Sequence, residues 1–153
     1  MALFIGIAAL HGPAASAVGP LPYDEQAEPQ KDLMRALSAA REEHKRVLIV
    51  FGANWCEDCR ALDRAFHDPQ TGKVVGENFV VVKVDVGHFD KNVDFAKVYG
   101  NPIAKGIPSV VVVTPKNELV YETRAGELAD ARRMGPAAIS SFFTDLSQRP
   151  AGY

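Results

Sequence analysis

From residue 31 onward the chain repeats its apolar side chains at helical spacing: Leu33, Ala36, Leu37 and Ala40 share one face, while Lys31, Asp32, Arg35, Arg41 and Glu42 occupy the others. This predicts one amphipathic helix to about Lys45. The pattern then changes to an unbroken apolar and β-branched run at residues 47–51 (VLIVF), which fits a strand buried on both faces. Leu62, Ala65 and Phe66 return to helical spacing and stop near Asp68-Pro69, because the residue before a proline disfavours helix. A second buried strand is expected at residues 79–86 (FVVVKVDV), and a short helix over residues 92–99, ended by Gly100 and Asn101-Pro102. Residues 109–114 and 119–123 read as a hairpin around Pro115-Lys116-Asn117. A last helix starts at Gly135-Pro136, where proline suits the first helical position, and buries Ile139, Phe142, Phe143 and Leu146. Helix, strand, helix, strand, helix, hairpin, helix is an α/β order. Strands joined through helices are expected to run parallel, with the hairpin adding an antiparallel edge, so the sheet is mixed, four-stranded and covered by helices on both faces.

The two ends of the pattern differ from its middle. Residues 2–10 (ALFIGIAAL) are an apolar run followed by Gly12-Pro13 and then Ala15-Ser16-Ala17, a small-residue cleavage pattern that predicts a signal peptide over residues 1–17 and a cut before Val18. No lysine or arginine precedes that run. The run is also too short to span a membrane, which takes about 20 apolar residues. Residues 18–30, with Pro20, Pro22 and Pro29 among polar positions, read as a linker, leaving residues 31–153 as one domain. An exported, periplasmic protein is the first expectation; a cytoplasmic one with an apolar leader is the alternative.

Composition narrows the partners. The 153 residues are 47% hydrophobic and 24% charged, with a formal net charge of -2 and no basic run. The electrostatic footprint of a nucleic-acid or anionic-membrane binder is missing.

The chemistry concentrates in residues 51–60, FGANWCEDCR, which hold the chain's two cysteines. A structural zinc site needs four ligands, and His11, His44, His67 and His88 offer no paired spacing to complete one, so no metal is expected and each histidine reads as solvated surface. A copper carrier would favour methionine before the first cysteine, where Trp55 stands. A disulfide closing so short a loop removes little entropy from the unfolded chain, which argues against a staple. Cys56 at the start of a helix faces free amides and the positive end of the helix dipole, and both stabilise a thiolate. A thiolate attacks disulfides, and a second thiol one turn later can resolve the mixed disulfide.

With Trp55-Cys56-Glu57-Asp58-Cys59 after a buried strand, Lys83 within FVVVKVDV, and Gly106-Ile107-Pro108 before the third strand, the chain resembles the thioredoxin superfamily. The likeness is to the bacterial thioredoxin-like proteins with a WC-x-D-C motif, and it extends from about Lys31 to Leu146. The resemblance implies the thioredoxin fold, with Cys56 as exposed nucleophile and Cys59 as buried resolving thiol. It also implies a cis bond at Pro108 opposite them, with Ile107 and Pro108 docking an extended substrate segment and Trp55 on the apolar rim. The other reading of Trp55 is a plain core aromatic. No cofactor beyond the redox-active cysteine pair is implied.

Two departures from the family pattern bear on mechanism. Thioredoxins proper carry a buried aspartate where this chain has Val50, so Lys83 is expected to lack its carboxylate partner and reads equally as a lysine snorkelling from a strand end. Asp58 or Glu57 is then the candidate base. These two acids also place negative charge beside Cys56, which opposes the thiolate and makes the couple more reducing, although acids suit a helix's first turn in any case. The expected activity is therefore reduction or isomerisation of protein disulfides, by a monomer fed by an unidentified electron donor. The rival is a binding module or chaperone of the same fold that holds a client protein or metal without turnover. Against the family resemblance, residues 101–105 and 124–134 are longer than a minimal thioredoxin needs, and loops near a site often set partners; 124–134 reads as a solvated loop or short helix, and residues 87–89 after the second strand raise the same question.

Overall fold

The computed structural model describes residues 19–151; the expected signal peptide over residues 1–17 and its cut before Val18 lie outside the described residues. Five α-helices and four strands follow in the order α1 (Pro29–Glu43), β1 (Arg46–Gly52), α2 (Glu57–Phe66), α3 (Pro69–Asn78), β2 (Phe79–Asp85), α4 (Val93–Lys97), β3 (Ser109–Val113), β4 (Leu119–Glu122) and α5 (Pro136–Gln148). Short 3-10 turns occupy Pro102–Lys105 and Ala131–Arg133.

The strands form one mixed sheet in the order β2-β1-β3-β4. β1 pairs in parallel with β2 and antiparallel with β3, which pairs antiparallel with β4. The expectation that strands joined through helices run parallel therefore fails for β3. That rule concerns strands that pair with each other, and β2 and β3 lie on opposite sides of β1.

β1 and β3 are buried on both faces because each alternates between two cores. Val47, Ile49 and Phe51 with Val111 and Val113 pack against α1 and α4. Leu48 and Val50 with Val110 and Val112 pack against α2, α3 and α5. Helices thus cover both faces, in the thioredoxin fold.

α3 was not legible as a helix. Asp68-Pro69 reads as a stop, yet it also starts α3: the Asp68 carboxylate accepts hydrogen bonds from the amides of Gln70 at 3.0 Å and Thr71 at 3.5 Å, and Pro69 takes the first position. Two glycines weaken the helical signal. Gly72 is there for closeness, since a Cβ would lie 2.6 Å from the Phe66 carbonyl oxygen of α2.

Residues 19–28 contain no helix or strand but are fastened to the domain. Tyr23 is buried at 3% exposure, its amide donates to the Asn54 side chain at 2.9 Å, and the Asn54 amide group donates back to the Tyr23 carbonyl at 2.9 Å. The folded body therefore begins before residue 31. Periodicity cannot report a segment held by one aromatic anchor.

Candidate active site

The site lies where β1 gives way to α2. Gly52 ends the strand, residues 53–55 turn, and Cys56 caps the helix, with its sulfur accepting from the Cys59 amide at 3.1 Å. Helical spacing returns Cys59 to the same side, and the two are joined as a disulfide with Cα atoms 5.2 Å apart. The expectation that Cys56 is exposed and Cys59 buried needs correction in degree: they are 5% and 1% exposed. Both cysteines are buried, and Cys56 is the more accessible of the two.

Opposite them runs the segment before β3. The Ile107–Pro108 peptide bond is cis, and the Ile107 carbonyl oxygen lies 3.7 Å from the Cys56 sulfur. A disulfide sulfur has no proton to donate, whereas the reduced thiol would. Backbone oxygen and sulfur thus lie close to contact, at the point where the β1–α2 turn meets the segment before β3.

Trp55 forms that rim rather than core. It is 47% exposed, donates its indole N–H to the Gly87 carbonyl at 2.8 Å, and stacks on His88 with ring centroids 5.1 Å apart. The unexplained residues 87–89 are therefore the support of the tryptophan, and Phe89 beside them is 45% exposed.

Lys83 does have a carboxylate partner, contrary to the sequence expectation. It is Asp63, one helical turn after Cys59 on α2, and their ion pair is mostly shielded, at 30% and 18% side-chain exposure. Val50 pairs with Lys83 across the β1–β2 ladder, so the charge absent from the strand arrives from the helix. The i, i+4 spacing of Cys59 and Asp63 was the signal in the sequence. Tyr23 completes this side: its hydroxyl packs against Gly52 alongside the Cys59 sulfur. Burial first, and then the charges of Asp63 and Asp85, push the tyrosine well above its ordinary range, so it stays a neutral hydroxyl.

Neither acid of the motif is free. Arg132 donates from its guanidinium to Glu57 at 2.6 Å and from its backbone amide to Asp58 at 2.9 Å. Sequence reasoning missed this residue, placing it in a solvated loop or short helix; it lies in the 3-10 turn Ala131–Arg133.

Fold and site together define a thioredoxin-fold protein with a paired-cysteine centre built for thiol–disulfide exchange. The sequence profile described as thioredoxin-like matches residues 28–115, and the chain belongs to that family. It is similar to the crystal structure of a disulphide isomerase from Xylella fastidiosa Temecula1, at 45% identity and TM-score 0.82, covering 84% of this chain and 98% of that one. The oxidised C-terminal domain of Neisseria meningitidis DsbD matches at 22% identity and TM-score 0.53, over 79% of this chain and 93% of that one. A Thermus thermophilus thioredoxin matches at 23% and 0.51, over 74% and 80%. These last two share the fold. No curated protein sequence matches the chain.

Proposed function

We propose that the protein reduces or isomerises protein disulfides by dithiol–disulfide exchange. The observation that carries this is the Cys56–Cys59 disulfide at the N-terminus of α2, facing the Ile107 carbonyl beside Pro108. The 45% identical relative bearing the name disulphide isomerase supports the same direction.

In the reductive half-reaction the Cys56 thiolate attacks one substrate sulfur. The substrate S–S bond breaks, its other sulfur leaves as a thiolate that takes a proton, and Cys56 is left in a mixed disulfide. Cys59 loses its proton and attacks the Cys56 sulfur, closing the pair and releasing the second substrate thiol. In isomerisation the substrate's own thiol displaces Cys56 instead. Ile107 and Pro108 dock the substrate backbone, and Trp55 walls the sulfurs.

The Asp63–Lys83 pair behind Cys59 is the charged group that assists its deprotonation. Engagement of Glu57 and Asp58 by Arg132 favours electrostatic tuning over proton transfer as their role. The leader pattern supports export, where an electron donor must work against an oxidising compartment. Among the described residues no helix is long and apolar enough to cross a membrane.

The deciding experiment is equilibration of the full chain in graded glutathione and dithiothreitol buffers, read by thiol alkylation. A reversible two-electron couple near about -270 mV is expected of a reductase. A couple near about -120 mV would make the protein an oxidant, and no reversible couple would leave a binding module.

A further inference from the structure

Two features left over from the redox motif meet at one point. Residues 124–134 join β4 to α5, and the motif places two acids beside a cysteine that must become an anion. Arg132 joins them, with guanidinium contacts to Glu57 at 2.6 Å and to Asp58 at 3.8 Å besides its amide bond to Asp58.

The segment that carries the arginine is anchored. Leu128 and Ala131 are sunk in the core against α2 and α5, at 0% and 1% exposure. Glu127 closes its first turn by accepting from the amides of Arg124 at 3.2 Å and Ala125 at 3.0 Å. Gly126 presses on the other half of the site, since a Cβ there would lie 2.8 Å from the Lys105 carbonyl oxygen, and Gly106 has room for a Cβ only 3.1 Å from that of Ala129. One loop therefore touches both the motif's acids and the segment that leads into Pro108.

We propose that Arg132 is a positioning residue that holds and neutralises Glu57 and Asp58, and thereby sets the thiol–disulfide equilibrium of the Cys56–Cys59 pair. The inference rests on the exchange reading above. On reduction the pair takes up two electrons, the Sγ–Sγ bond breaks, Cys59 gains a proton and Cys56 becomes a thiolate. Only the reduced side has an anion beside the two acids, so their repulsion acts on that side alone. The arginine charge offsets it and makes the couple less reducing than an acidic motif would be by itself. Arg60 of α2 is engaged elsewhere, donating to the Asn54 carbonyl at 3.1 Å, and Arg133 pairs with Asp130 at 3.6 Å.

The test compares parent, R132Q, R132K, E57Q combined with D58N, and R132Q combined with E57Q and D58N, as full chains, equilibrated with dithiothreitol at pH 8. R132Q is expected to shift the equilibrium roughly three- to tenfold toward the disulfide, about 15 to 30 mV more negative, and to slow alkylation of Cys56. R132K, which keeps the charge, recovers part of the shift. With both acids neutralised, R132Q should have less than half its effect. An unchanged equilibrium in folded R132Q, a melting-temperature loss with no change in potential, or the same shift with and without the acids would overturn the proposal. Absence of a reversible couple in the parent overturns the exchange reading and this inference together, whereas a reversible parent with unresponsive variants overturns only the inference.

Discussion

At the scale of single residues, the site depends on small side chains and paired charges around two sulfurs. Gly52 is a glycine because the Tyr23 hydroxyl packs directly on its Cα and the Cys59 sulfur lies 2.9 Å from where a Cβ would stand. Gly52→Ala forces the tyrosine off its seat, and we expect a loss of about 1–3 kcal/mol in denaturant unfolding, as for other overpacked cores. An alanine variant as stable as the parent would mean that the packing relaxes freely. Asp63→Asn leaves Lys83 without its counter-charge beside Cys59. Stopped-flow assays should show resolution of the mixed disulfide slowed by roughly 100-fold, in the range of lost acid–base assistance, while the first attack by Cys56 stays fast. Equal slowing of both steps would place Asp63 outside proton transfer.

Elements present these residues through their ends. Cys56 serves as the cap of α2, so the first nucleophile occupies the position with the most unpaired amides nearby. Loop 124–134 is shaped in turn by Glu127. Burial works to raise its carboxyl, but hydrogen bonds from its own, the Arg124 and the Ala125 amides and from the Tyr121 hydroxyl outweigh this and hold it below the ordinary value. The same pair pushes Tyr121 up to about 12, through burial first and the Glu127 charge next. A carboxyl lowered on folding contributes stability that is present above its unfolded value of about 4.3 and is lost as pH falls through the folded value. Glu127→Gln should therefore melt below the parent at pH 7, with the gap closing below about pH 4. A gap independent of pH would show that the loop is held by shape alone.

For the whole molecule, the fold places the site where four separate stretches of chain converge: residues 22–25, the β1–α2 turn, the Gly106–Pro108 segment and the 124–134 loop. The first of these is easily mistaken for a tether. Tyr23 sits under the disulfide and is tied by its backbone to Asn54, two residues before Cys56. Tyr23→Ala is expected to cost about 3 kcal/mol of global stability, as for other buried aromatic truncations, and to speed reduction of the disulfide by dithiothreitol. A variant with parental stability and reduction rate would return the segment to the status of a linker.

What the sequence determined by itself is local. Unbroken apolar runs identified β1, β2 and β3, because burial in a sheet covered by helices leaves a mark on consecutive residues, and the Pro115-Lys116-Asn117 turn identified β4. The CxxC spacing at a strand-to-helix turn, and the glycine and proline before β3, carried the resemblance to the family. What tertiary structure alone decided is which distant groups share the site. Arg132 meets Glu57 from 75 residues away, Lys83 meets Asp63 from 20, and Tyr23 meets Asn54 from 31. The antiparallel course of β3 was likewise set by its neighbour β1, and α3 by a cap that doubled as a stop signal. Charge pairs and aromatic anchors leave no period in a sequence. Their partners are chosen by the packing of helices on the sheet, which only the folded chain specifies.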